Sequence, residues 1–128
     1  MFEIEVRHTF RALHAVSING VMEELHSHDW QVRVCLGREH LDDEHLLVDF
    51  HAIENDIVAS VAPYADGVFN GTPPFDRILP TAERIAEYIG GVLSKNLLPA
   101  IQLQWVSVEE APGCIARWYP KHLIQEGS

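Results

Sequence analysis

Two histidines spaced two residues apart, His26 and His28, are the residues of this sequence best suited to chemistry. They lie in the stretch ELHSHDW, which runs into a segment of alternating apolar residues typical of a β-strand. Alternate side chains of a strand project from the same face, so both imidazoles can approach one ion. The spacing is compatible with zinc, which binds histidine nitrogens at about 2.0–2.1 Å. An isolated His-x-His pair is nevertheless more often structural than metal-binding.

A third ligand must come from a neighbouring strand, and His14 is the candidate. It lies near the end of a first alternating segment, on the same parity as the apolar residues. Asn19-Gly20 is a turn signal, so an antiparallel hairpin would return the chain and place His14 beside His26 and His28. Three histidines without a fourth protein ligand are typical of catalytic zinc, because one position stays open for water or substrate.

The elements that position these residues are predicted in the order strand-strand-helix-helix-strand-strand. Four segments have a period of two residues and two have a helical period. Paired strands at each end of this order predict an α+β fold, an antiparallel sheet with the helices on one face. The predicted strands span residues 2–16, 25–36, 100–110 and 114–119, and the predicted helices follow the N-caps Asp49 and Thr81, the first ending at Pro63 and the second weakened by Gly90-Gly91.

Composition limits the class of protein. The 128 residues, 47% apolar, predict one folded domain spanning residues 1–128. The net charge of -10, from 19 acidic and 9 basic residues, argues against a nucleic-acid binder that contacts phosphates. No segment resembles a signal peptide or a membrane span, so we expect a soluble cytoplasmic protein. Cys35 and Cys114 form no Cys-x-x-Cys motif and suggest no disulfide framework.

Five stretches of the sequence form a recognisable series: FRALHAV, LHSHDW, LLVDF, LPTAERIAEYI and VEEAPGCIARW. In this order, and over nearly the whole chain, they resemble the motifs of the 6-pyruvoyl-tetrahydropterin synthase and 6-carboxy-tetrahydropterin synthase family. The resemblance implies the tunnelling fold, in which a four-stranded antiparallel sheet has two helices on one side. It also implies ring-shaped homo-oligomers, such as hexamers, with active sites between subunits.

The resemblance implies roles for individual residues. His14, His26 and His28 match the family's three zinc ligands, which makes Zn²⁺ the implied cofactor. Glu110 matches the glutamate that anchors the pterin, so a small-molecule pterin is the implied partner. Thr81 would contribute a hydroxyl or a helix-start amide to the ring edge, the alternative being a plain N-cap.

Two positions depart from the proton-transfer residues of the synthases. Met22 stands where they have a cysteine base, and Gly67 follows Asp66 where they have an Asp-His pair. Neither Cys35 nor Cys114 occupies the position of the missing base in the motif. The standard proton-transfer set is therefore incomplete.

Glu23 is a candidate replacement for the cysteine. It lies three residues before His26 and matches the E-x-x-H-x-H pattern of one branch of the family, in which glutamate takes the cysteine's role. Members of that branch cleave the side chain of 7,8-dihydroneopterin triphosphate to give 6-hydroxymethyl-7,8-dihydropterin, a folate precursor. Burial can raise the pKa of a carboxylate towards neutrality, as a general base requires. The alternative is that Glu23 is an exposed acid in an acidic loop.

The resemblance predicts a zinc-dependent lyase acting on 7,8-dihydroneopterin triphosphate or a related pterin, with Glu23 as base and Asp66 as a secondary proton relay. One alternative is a zinc- and pterin-binding protein without synthase activity. Another is a family member with a changed substrate, from another pterin or a deazapurine (queuosine precursor) route. The candidates for binding the triphosphate are Arg7, Arg11, Arg33, Arg117 and Lys121.

Overall fold

Two long strands, two helices and two further strands form the main body of the fold, which a computed structural model describes for residues 1–121. A two-residue-per-strand hairpin, predicted only as a turn, lies between the first two long strands. The predicted element order and the α+β class are confirmed. The elements are β1 (Phe2–His14), β2 (Ser17–Ile18), β3 (Val21–Met22), β4 (His26–Arg38), α1 (Phe50–Val61), α2 (Ala82–Ser94), β5 (Gln102–Ala111) and β6 (Cys114–Trp118).

The main sheet is antiparallel and has the strand order β1-β4-β5-β6. β1 and β4 pair without interruption from Phe2 opposite Arg38 to His14 opposite His26. A hairpin of this length fixes the register firmly, because a shift by one residue would turn every buried side chain to the other face.

The hydrophobic core lies between the sheet and the two helices. Val6, Val34 and Val106 are buried on the same face of three strands, and Ile57 and Ile85 meet that face from the helices. α2 packs against β5, β6 and α1, while α1 packs against β1. The alternate residues of each strand project from the opposite face of the sheet, which the helices leave uncovered.

Both helices begin at the predicted N-caps. The Asp49 carboxylate accepts a hydrogen bond from the backbone N–H of His51 at 3.0 Å, and the Thr81 hydroxyl oxygen accepts one from Arg84 at 3.1 Å. These side chains satisfy backbone donors that have no partner within the helix. No helix within residues 1–121 is long and apolar enough to cross a membrane.

The two glycines of α2 have different surroundings. A Cβ added at Gly90 would overlap the indole ring of Trp118, whereas a Cβ at Gly91 would meet no atom within 4 Å. Gly90 therefore allows β6 to pack closely on α2. Glycine weakens α2 at both positions, as the sequence predicts, but only at Gly90 does it make room for a packing contact.

We predict opposite effects on stability for alanine at these two positions. Gly90→Ala should lower the free energy of unfolding by about 1–3 kcal/mol, because the Trp118 ring must move. Gly91→Ala should raise it by about 0.5–1 kcal/mol, because alanine restricts the unfolded chain and favours the helix. Urea unfolding of both variants tests the contact. Equal effects of the two substitutions would contradict it.

Candidate metal centre and adjoining pocket

Three histidine rings meet at the end of the β1–β4 pair. His14 lies directly opposite His26, and His28 lies opposite Ala12, so all three side chains share the core face of the sheet. The ring centroids are 4.7–5.2 Å apart, and one ligand nitrogen from each ring lies within 4.8 Å of the other two. The structure therefore brings together the three residues that the sequence predicts as metal ligands.

Backbone carbonyl groups orient two of these rings. The Nδ1–H of His14 donates to the carbonyl of Pro80 at 2.9 Å, and the Nδ1–H of His26 donates to the carbonyl of Glu24, also at 2.9 Å. With the proton on Nδ1, the Nε2 lone pair of each ring is free to bind a metal. Pro80 directly precedes the N-cap of α2, so the start of this helix also positions His14.

Trp30 forms the floor beneath the histidines. Its side chain is completely buried and contacts His14 and His28 edge-to-face, with centroids 4.7 and 5.4 Å apart. Its indole N–H donates to the carbonyl of Ala12 at 3.1 Å, which fixes the ring. Its position beneath the cluster follows from the strand register, which places Trp30 opposite Phe10 on the same face as the histidines.

The donor set fits a zinc ion. The Nε2 atoms of His14 and His28 are buried, and neither has a hydrogen-bond partner among residues 1–121. Burial lowers the pKa of His28, and the nearby carboxylate of Glu110 offsets part of that effect. A lowered pKa keeps the imidazole neutral near pH 7, which is the form that binds a metal. Buried polar atoms without partners are uncommon, and an ion between these rings would satisfy them.

Glu110 lies next to His14 and His28, and its side chain is one-third exposed. Its carboxylate oxygens are 3.3 Å from Nε2 of His14 and 3.9 Å from Nε2 of His28. β5 and β6 shift register at this point, with Glu109 opposite Ile115 and Ala111 opposite Cys114, so Glu110 has no direct partner on β6. Such a bulge is common beside functional sites.

A pocket of about 400 Å³ adjoins the cluster. It combines apolar side chains with three carboxylates, a hydroxyl and a thiol, a mixture suited to a flat polar ring. The residues around it include Val16, Ile18, Glu23, Thr81, Glu110 and Cys114.

The hairpin β2–β3 positions Glu23 at this pocket. The Glu23 carboxylate accepts a hydrogen bond from the backbone N–H of Val16 at 3.1 Å and lies 3.9 Å from Nε2 of His26. The backbone N–H of Glu23 in turn donates to the carbonyl of Val16 at 2.9 Å. Its side chain is about one-third exposed, so it is neither a free surface acid nor a buried one.

Residues 3–121 match the family model described as 6-pyruvoyl tetrahydropterin synthase. The chain belongs to this family. Its members are lyases, and the match spans the histidine cluster, the pocket and every element of the main sheet.

Solved structures from the family share the fold. The 6-pyruvoyl tetrahydropterin synthase of Caenorhabditis elegans is 16% identical, with a TM-score of 0.79 over 93% of this chain and 95% of that one. A Plasmodium vivax synthase with a catalytic glutamate replaced by alanine is 15% identical, with a TM-score of 0.73 over 93% and 97%. The Plasmodium falciparum synthase is 17% identical, with a TM-score of 0.70 over 93% and 98%. The tunnelling fold is thereby confirmed. No curated protein matches the chain.

Asp66 and Gly67 lie beside the end of β1 that carries His14, where the backbone N–H of Leu13 donates to the carbonyl of Gly67 at 2.9 Å. The segment that contains them follows the outer edge of β1, where Asp66 donates its backbone N–H to the carbonyl of Arg11 at 2.7 Å. Asp66 is exposed and has a positive φ of 59°. No contact within residues 1–121 of one chain joins its carboxylate to the cluster.

Neither Met22, which stands at the position of the family's cysteine base, nor Cys35 provides a thiolate at the pocket. Met22 is 52% exposed on the β2–β3 hairpin and offers no proton-transfer group. Cys35 is buried in β4, and burial raises the pKa of its thiol to about 11. Cys114 is exposed and borders the pocket, which the sequence did not predict. The tight Pro112-Gly113 turn that folds β6 back beside Glu110 was the one available signal.

We predict that only Cys114 reacts with Ellman's reagent in the native protein at pH 8. At a pKa of about 11, about one Cys35 thiol in a thousand is ionised at this pH, and the side chain is also inaccessible. Cys114→Ser should abolish the fast reaction, whereas Cys35→Ser should leave it unchanged. Two thiols reacting at equal rates would contradict the structure.

Proposed function

We propose that this chain is a zinc-dependent lyase acting on 7,8-dihydroneopterin triphosphate or a closely related dihydropterin. The decisive support is the position of three convergent histidine nitrogens, two of them buried without hydrogen-bond partners, beside a pocket lined by the carboxylates of Glu23 and Glu110 among others. A metal-assisted cleavage requires this combination of an open ion site, a substrate anchor and a base.

His14, His26 and His28 would hold the ion through Nε2. When bound, zinc would supply Lewis acidity to the oxygens of the pterin side chain. The carbonyls of Pro80 and Glu24 keep two of the rings in the required tautomer. Trp30 excludes water from below and holds the cluster rigid.

Glu110 and Thr81 would bind the pterin ring. A carboxylate can accept two parallel hydrogen bonds from neighbouring ring N–H groups, which fixes the orientation of a planar ligand. Glu110 borders both the pocket and the histidines, so a ring bound to it would present its side chain to the metal. The Thr81 oxygen already accepts the capping hydrogen bond from Arg84, which leaves its O–H available as a donor.

Glu23 would act as the general base. In the proposed cleavage it removes the proton of a side-chain hydroxyl, whose carbon leaves as an aldehyde when the carbon–carbon bond to the pterin-attached carbon breaks. The pterin-attached carbon then takes that proton back from Glu23, which yields a hydroxymethyl group. A catalytic glutamate in the Plasmodium vivax synthase supports a carboxylate in this role. The hydrogen bond from Val16 holds the Glu23 carboxylate near His26.

Asp66 would join this machinery only between subunits. Within one chain its exposed side chain lies at the edge of β1, from which it would reach the pocket of a neighbouring subunit. The β2–β3 hairpin beside the pocket also exposes apolar side chains, which supports a homo-oligomer with sites at its interfaces. These side chains are Ile18, Val21, Met22 and Leu25, each more than half exposed.

A second candidate function is zinc and pterin binding without synthase activity. It is favoured by Met22, which cannot transfer a proton, and by Gly67 in place of a histidine beside Asp66. This alternative predicts saturable pterin binding without turnover, whereas the lyase converts the bound triphosphate.

We predict that His14→Ala loses both zinc and activity. Removing one of the three ligands, a ring whose tautomer the Pro80 carbonyl sets, should reduce zinc affinity by at least about 100-fold. His51→Ala, at an exposed position on α1, is the matched control and should retain both. Metal content is measured by mass spectrometry after dialysis. Full zinc content in His14→Ala would exclude the proposed site.

We predict that Glu23→Gln lowers kcat by about 10²–10⁴-fold without loss of zinc, because glutamine keeps the hydrogen bond from Val16 but cannot accept a proton. Glu24→Gln removes the same charge at the next residue and should retain activity. The assay follows 6-hydroxymethyl-7,8-dihydropterin by mass. Normal turnover by Glu23→Gln would assign the base elsewhere, and no turnover by the zinc-loaded unmodified protein, with measurable pterin binding, would favour the binding function.

A further inference from the structure

Three arginines form a row across the main sheet. Arg7 on β1 lies directly opposite Arg33 on β4, which lies opposite Ser107 on β5, which in turn lies opposite Arg117 on β6. With neighbouring strands about 4.8 Å apart, the three side chains originate within about 15 Å of one another. The protein has only 9 basic residues, so a third of them stand in this row.

The row lies on the face of the sheet that the helices do not cover. Arg7 and Arg33 are next to the buried residues Val6 and Val34, which face the core, and Arg117 is next to Trp118, whose ring packs against α2. The histidine cluster shares the core face, so the row projects in the opposite direction. Arg33 is also five residues from His28, about 16 Å along β4. A substrate in the pocket of the same chain therefore cannot place its triphosphate on this row.

The arginines of the row form no close ion pair within the described part of the chain. Arg11, on the same face, forms an ion pair with Asp29 at 3.0 Å. In contrast, no carboxylate of residues 1–121 lies within 4.0 Å of the guanidinium groups of Arg7, Arg33 or Arg117. Like charges directly opposite each other in a sheet are destabilising, so this arrangement favours an external anion.

A cavity lies at one end of the row. It measures about 320 Å³ and is lined by Glu5, Arg7 and Arg33. Arg117 is held at the other end, with its guanidinium carbon 3.9 Å above the ring of Trp105. Stacking of this kind fixes a guanidinium plane while leaving its N–H groups free to donate.

We propose that Arg7, Arg33 and Arg117 form a binding site for an oligophosphate anion, separate from the histidine pocket. Guanidinium groups bind phosphate oxygens through paired, charge-assisted hydrogen bonds. Arg7 and Arg33 hold one phosphate group at the cavity, and Arg117 holds another further along the row. Glu5 borders the cavity and disfavours a more extended anion on its side. The phosphate chain is the recognised group, whether it is free or part of a nucleotide.

Calorimetric titration with inorganic tripolyphosphate tests this site. The titration is run on zinc-loaded protein and on His14→Ala, because tripolyphosphate also chelates zinc. Arg33→Gln and Arg7→Gln should each weaken binding by at least about tenfold, as expected for loss of a hydrogen-bonded charge. Arg77→Gln removes the same charge at an exposed position away from the row and should not weaken binding. Equal weakening by all three variants, or binding lost only in His14→Ala, would overturn the proposal.

Two further measurements extend the test. Without added anion at low salt, Arg7→Gln should raise Tm relative to Arg77→Gln, because it removes the repulsion across the β1–β4 pair. A lower Tm for Arg7→Gln would contradict that repulsion and with it the need for an anion. ATP and tripolyphosphate then distinguish the source of the phosphate chain: equal affinities indicate that the chain alone is recognised, and tighter ATP binding indicates a nucleotide. Binding of neither anion to the row would overturn the site.

Discussion

The pairing of β1 with β4 is the constraint on which the rest of the structure depends. Thirteen residues of each strand pair in a single register, which places His14 opposite His26 and Ala12 opposite His28. A slip of β1 by one residue would move His14 to the uncovered face and turn charged residues such as Arg7 towards the core. The alternation of buried side chains along β1 makes that slip costly, since Val6 and Phe10 would leave the core together with His14. The packing of the core thus fixes the geometry of the histidines.

The start of α2 links the helix layer to this cluster. Thr81 caps the helix, and the carbonyl of the preceding Pro80 accepts the Nδ1–H of His14. The helix itself is held to the sheet by contacts such as that of Gly90 with Trp118. A change in the packing of α2 on the sheet would therefore displace the Pro80 carbonyl and alter the tautomer and orientation of the buried His14 ring. The same short segment serves both helix initiation and ligand orientation, which explains why a Pro-Thr pair at this point matters chemically.

The sequence predicted what depends on local period and turn signals. Alternation in residues 2–16 and 25–36, with a turn at Asn19-Gly20, sufficed to place His14 beside His26 and His28. Other features depend on contacts between residues distant in sequence. The register beneath the cluster decides that Trp30 forms its floor, and a turn of two residues decides that Cys114 borders the pocket. The position of Asp66 at the edge of β1 depends on a loop with no periodic signal, so a motif alone could not show that its segment pairs with Arg11 and Leu13.

The two faces of one sheet hold different kinds of polar group for the same physical reason. On β4, His28 and Trp30 face the core side, and Arg33 faces the opposite side, because successive side chains of a strand alternate. Buried imidazoles are acceptable on the core face since they are neutral and can bind a metal, whereas guanidinium groups there would be charged and unpaired. In a chain with a net charge of -10, the other face holds three arginines in one row, a third of the 9 basic residues of the protein. The strand register that assembles the histidines therefore also assembles the arginines, so neither set could shift along the strands without the other.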